Sequence, residues 1–140
     1  MGLLRRLFLG SGRFPEDVRT TLVAEGPSVL EEGLAGSITY RHYRAPGTRS
    51  NWRKVGITGA IAVTDRRLVV WGGRDKQIDI PLGDERFAQL EISLDPPDRV
   101  LFACDAETFS DSRSGRVEIR LRCPRAAQVV EQLERPSIHR

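Results

Sequence analysis

Apolar residues recur at every second position over most of this chain, and that period constrains its fold more than any other feature. In the clearest run, Val117, Ile119, Leu121 and Cys123 alternate without a break with Arg116, Glu118, Arg120 and Arg122. One set must face a core and the other water, as on a half-buried β-strand. The period begins at Leu34, where Ile38, Tyr40 and His42 alternate with Thr39, Arg41 and Tyr43. Residues 45–51 carry turn chemistry and are expected to form a loop, after which Val55, Ile57, Ile61 and Val63 resume the alternation over 53–63. Gly56, Gly59, Ala60 and Ala62 suit a strand that another backbone approaches closely. Thr64-Asp65-Arg66 turns the chain into Leu68–Trp71, and Gly72-Gly73-Arg74-Asp75 turns it into Ile78, Ile80 and Leu82. These four strands, with short connections, predict an antiparallel meander.

A second group follows Gly83-Asp84. Leu90, Ile92 and Leu94 alternate first, Asp95-Pro96-Pro97-Asp98 breaks the chain, and Val100, Phe102 and Cys104 face one way before a polar loop at 106–115. The last two strands are expected to pair as a hairpin, with residue 105 near 116, Cys104 near Val117 and Cys123 at the far end near Asp98. Six residues of strand at ~3.3 Å each put the thiols roughly 20 Å apart, whereas a disulfide needs Cα atoms within about 7 Å. Both cysteines are therefore predicted to be buried and unbridged.

Helical signals occur only at the ends. Leu3, Leu4, Leu7 and Phe8 fall at helical spacing around Arg5 and Arg6. Pro15, Glu16 and Asp17 suit a first helical turn, Val18 and Leu22 give it one apolar stripe, and Gly26-Pro27 ends it. After Pro124, the residues Ala126, Val129, Val130 and Leu133 form the stripe of a closing helix that Pro136 stops.

At 140 residues with 39% hydrophobic and 29% charged composition, the chain suits one folded domain. Aromatic content of 6% argues against base-stacking platforms for nucleic acid. The formal charge is +3, with Lys54 and Lys76 the only lysines. No apolar run approaches the ~18 residues of a membrane span. The first residues lack a secretory signal, and Arg6 fails the myristoylation pattern. Two cysteines without a CxxC pair fit a reducing compartment. A cytoplasmic protein is predicted. No phosphate loop, His-Glu-x-x-His or Gly-x-Ser-x-Gly motif occurs. His42 and His139 stand apart from any matching cysteine or carboxylate, so no catalytic residue, metal site or cofactor is predicted.

Four strands, three strands and a C-terminal helix follow the order of the pleckstrin-homology superfold. Gly59-Ala60-Ile61-Ala62-Val63 followed by Thr64-Asp65-Arg66-Arg67-Leu68-Val69-Val70 resembles the hairpin of bacterial pleckstrin-homology-like and GRAM-like domains. The resemblance covers residues 34–135. It leaves 1–33 as a leader with an extra N-terminal helix and 136–140 as a loose tail. It implies a mainly β domain: a seven-stranded, partly open barrel of two near-orthogonal antiparallel sheets capped by the C-terminal helix. It also implies a binding role, with some bacterial relatives assembling into rings. The hairpin residues Thr64, Asp65 and Arg67 read as structural, Asp65 capping backbone N–H groups and the arginine answering a nearby carboxylate or carbonyl.

Two surfaces remain for contact. Arg41, Arg44, Arg49, Arg53 and Lys54 cluster on the first hairpin without one acid between residues 41 and 54. Arginine forks match phosphate oxygens, and Trp52 can enter a bilayer interface. In lipid-binding pleckstrin-homology domains this hairpin holds the headgroup. The second surface is the leader, where Leu3, Leu4, Leu7 and Phe8 can cover an apolar partner or lie on a membrane. The expected function is non-catalytic protein contact or self-assembly. The competing expectation is a peripheral membrane adaptor that binds anionic headgroups through residues 41–54; a nucleic-acid partner is not expected.

Overall fold

A computed structural model describes residues 12–109 and 111–134. In chain order these hold helix α1 (Glu16–Ala24), strands β1 (Val29–Ala45), β2 (Thr48–Val63), β3 (Arg67–Gly72), β4 (Asp75–Pro81), β5 (Glu91–Asp95), β6 (Arg99–Asp105) and β7 (Ser114–Arg122), and helix α2 (Ala126–Glu134). Short 3-10 turns at Glu85–Gln89 and Ala106–Thr108 join β4 to β5 and follow β6. The leader residues Leu3, Leu4, Leu7 and Phe8 and the tail 136–140 lie outside the described residues.

All seven strands are antiparallel and follow the order β4-β3-β2-β1-β7-β6-β5. The groups of four and three are joined where β1 pairs with β7, so hydrogen bonding makes one sheet that curls into a half-barrel. The β6–β7 register is the expected one, with Asp105 opposite Arg116, Cys104 opposite Val117, and Cys123 N–H bonded to the Asp98 carbonyl at 2.8 Å. Both cysteines are buried and free. Burial, with Asp105 adding to it, pushes the Cys104 thiol up to about 11.

The concave face holds the main core. Ile38, Ile61, Leu68, Val70, Ile80, Phe102 and Leu121 meet Ala126, Val129, Val130 and Leu133, the stripe expected of α2. The convex face of β2 and β3 carries a second cluster, in which Phe14 and Leu22 cover Ala60, Ala62, Val69 and Trp71. Phe14 meets the Trp71 ring edge-on at 5.9 Å. The small residues of β2 thus admit α1 to the sheet. Among the described residues, no helix is long and apolar enough to cross a membrane.

Three boundaries differ from expectation, and one is the start of β7 at Ser114, inside the loop expected over 106–115. β1 starts at Val29 rather than Leu34, because a bulge between Glu31 and Leu34, with Gly33 at φ 71°, interrupts the alternation. The loop expected over 45–51 shrinks to Pro46-Gly47, with Ala45 already opposite Thr48. Proline followed by glycine at φ 77° meets the demands of a type II turn, so both strands run to the tip.

Candidate interaction surface

The long β1–β2 hairpin is an arm, and its local irregularity decides where its side chains point. His42 has φ 51°, and the β1–β7 register shifts between Arg41 and Arg44. Opposite this bulge stands Gly115 at φ 97°, where a Cβ would overlap the His42 carbonyl oxygen. Tyr43 rather than His42 consequently continues the face of Tyr40. The two rings lie 4.8 Å apart, Tyr43 is buried and His42 is exposed. This corrects the alternation expected across His42, because one bulge exchanges the faces of every later residue.

The five basic residues do not converge on one point. Arg41 turns to the outer face, where its Nε donates to Glu118 Oε2 at 3.2 Å. Arg53 lies 5.7 Å from the centre of the Tyr40 ring, beside a recess of about 230 Å³ lined by Tyr40, Tyr43, Pro46 and Ser50. Burial and the neighbouring Tyr43 raise the Tyr40 hydroxyl above the ordinary tyrosine range. Arg44 and Arg49 sit directly opposite each other across the strands. With His42, Asn51 and Ser114 they line a second recess, also about 230 Å³. Lys54 stands opposite Thr39 and is exposed, as is Trp52 at 58%. Among the described residues, Arg44, Arg49, Arg53 and Lys54 have no carboxylate partner. A like-charged cross-strand pair weakens a sheet, so the facing of Arg44 and Arg49 does not stabilise the arm.

The arginines of β7 are engaged differently. Glu118, buried on the outer face, accepts from Arg116 Nε at 2.9 Å, Arg41 Nε at 3.2 Å and Arg120 Nη1 at 3.2 Å. Arg116 also forks onto Glu91 with two bonds of 2.9 Å, and Arg120 pairs with Asp95 at 3.2 Å. Burial pushes the Glu118 carboxyl up, but the hydrogen bonds from Arg116, Arg41 and Arg120 outweigh it and hold it at about 2. This belt ties β1 to β7 and β5 and removes Arg41 from the set free to meet a ligand.

Thr64, Asp65 and Arg67 form a staple. Thr64 Oγ1, not Asp65, accepts from the N–H groups of Arg66 and Arg67, each at 3.1 Å. The Thr64 side chain is buried at the strand end, whereas Asp65 points to solvent. Thr64 also donates to Glu25 Oε1 at 3.0 Å. Arg67 answers two carboxylates, Glu25 at 2.8 Å and Asp79 at 3.1 Å. Its hydrogen bond holds Glu25 below the ordinary carboxylate range.

Sequence reasoning missed Tyr40 and Tyr43 as a pair, since their spacing of three has no place in a period of two. Gly115 was the available signal of the bulge that joins them. Among the described residues, no three His, Cys, Asp or Glu groups could hold a metal ion. Comparison with protein-family models, with curated proteins and with solved structures finds no match.

Proposed function

We propose that this chain is a non-catalytic binding module of the pleckstrin-homology-like kind that works through protein contact, self-assembly included. The strand order β4-β3-β2-β1-β7-β6-β5, with a helix following β7 into the concave core, supports the architectural part. The contact part rests on one observation: the β1–β2 arm carries four cations without acid partners among the described residues, beside an exposed Trp52. Cross-strand repulsion of that kind is relieved when a partner supplies negative charge. Light scattering at low and high salt tests the self-assembly branch, for which a defined oligomer at both salts is expected. A monomer throughout removes that branch and leaves contact with a different protein.

A second reading is favoured by the Arg44–Arg49 recess and by Trp52 near it. In this reading the module is a peripheral membrane adaptor, the arginines holding headgroup oxygens and the indole entering the interface. Cosedimentation with anionic vesicles at low salt is then expected, and R44S/R49S/R53S is expected to abolish it. Wild-type protein that stays in solution at low salt refutes this reading.

A further inference from the structure

β2 is paired on one side along its whole length but on the other only in part. β1 pairs with it from Thr48 to Val63, whereas β3 pairs only from Gly59 to Val63. The carbonyl of Thr58 is taken by Gly73 N–H at 2.9 Å. From Thr48 to Ile57 no strand among the described residues flanks the outer edge of β2. Over roughly 30 Å, alternate N–H and C=O groups therefore point away from β1 without a ladder partner. Residues 51–54 along this edge are exposed, and Val55 is half-buried.

We propose that this open edge of β2 accepts an extended acidic segment of a partner protein as an added β-strand. The inference rests on the protein-contact reading and names its partner. Main-chain hydrogen bonds supply the docking geometry in strand addition, and side chains choose the sequence. Charge decides the occupant. A second copy paired edge to edge about residue 51 sets Arg49 against Arg53, and about residue 53 it sets Arg53 against itself. Pairing about residue 52 avoids direct opposition but still gathers Arg49, Arg53 and Lys54 of both copies on one ladder to which residues 48–57 bring no acid. The chain's own first eleven residues carry Arg5 and Arg6 and no acid, so they too bring positive charge to a positive edge. An acidic strand instead meets Arg49, Arg53 and Lys54, none of which has a carboxylate of its own among the described residues. Arg53 lies towards the tyrosine recess and Lys54 stands opposite Thr39 on the outer face. The segment that fits is acidic on both faces, with an apolar side chain for Trp52. Cations on an edge also repel other copies, which is the same selection seen from the other side.

The test uses the full chain and a peptide of about ten residues in a Glu-Glu-Val repeat, which puts glutamate on both faces of a strand and is long enough to span the edge. Its counterpart with lysine for glutamate, a form N-methylated along one edge and a form N-methylated along both edges complete the set. The acidic peptide and the singly methylated form, which keeps one free edge, are expected to bind and to slow amide exchange at alternate residues between 49 and 57. The doubly methylated form has the same charge and is expected to bind at least about tenfold more weakly, having lost its ladder donors. The lysine peptide is expected not to bind. Equal binding by the unmodified and doubly methylated peptides would reduce the effect to bulk electrostatics and overturn strand addition, as would no binding of any form. If the peptides fail while light scattering shows an oligomer, the protein-contact reading stands and only this inference falls. If they fail while anionic vesicles bind, both fall.

Discussion

Glu118 collects three guanidinium groups around one buried carboxylate, and the sign of the resulting pH dependence follows directly. Its ordinary value is 4.5 and the folded protein holds it at about 2. Above pH 4.5 the group is ionised in both states and its stabilisation is complete. As pH falls below that, the unfolded chain takes up the proton first, and the stabilisation fades until the folded form is protonated too. Glu25 and Glu91 act in the same direction, held down by Arg67 and Arg116. Because the surrounding arginines are partly exposed, the Glu118 contribution is about 2 kcal/mol rather than the full value of the shift. Urea midpoints from pH 7 to pH 2 are therefore expected to fall, and E118Q to start lower and fall less steeply. An E118Q acid limb parallel to the wild type would remove Glu118 as the cause. The alternation of β7 makes Glu118 legible as an outward residue beside Arg116 and Arg120. But Arg41 comes from β1, and the carboxylates Glu91 and Asp95 that share those arginines come from β5, which one-strand periodicity cannot place. Thr64 shows a similar limit. Aspartate is the commoner turn cap, and only the burial of Thr64 at the strand end gives the N–H groups to its hydroxyl.

At the scale of elements, α1 is tied down more firmly than its short apolar stripe suggests. Phe14 and Leu22 lie over Ala60 and Ala62, and the Phe14 N–H donates to Glu32 Oε2 at 3.0 Å while Arg19 bonds Glu32 Oε1 at 3.1 Å. Glu25 adds the staple to Arg67 at the other end of the helix. The helix limits were readable from Pro15 and Gly26-Pro27, and the small residues of β2 announced a close neighbour without naming it. In a W52F background, where Trp71 is the remaining indole, F14A is expected to cost about 3 kcal/mol or more and to shift Trp71 emission to the red. Unchanged emission would show that Phe14 does not cover Trp71. The arm was less legible. Turn-forming composition over residues 45–51 concealed a two-residue turn, since serine, threonine and asparagine occur in a paired strand when a long partner offers the ladder.

At the scale of the whole molecule, the order of strands and the closing helix could be read from period and punctuation, because each is a local property. The joining of the two groups could not, since it depends on β1 lying against β2 and β7 at once. Gly36 marks that crossing: it stands opposite Ile57 on one side and Leu121 on the other. A Cβ there would overlap the carbonyl oxygen of Arg120, a backbone atom that cannot swing aside. Gly56, one strand away on β2, has nothing within 4 Å of the same added atom. Alanine at these two positions changes intrinsic strand preference alike, so their difference isolates the closeness of β1 to β7. G36A is expected to lose about 3 kcal/mol or more and G56A to stay within about 0.5 kcal/mol of the parent, both read from urea unfolding. If the two variants are equally stable, β1 and β7 do not meet in this register. If only G36A is destabilised, the half-barrel is held closed along the seam that also carries the Glu118 belt, and the arm beyond that seam stands on a rigid base.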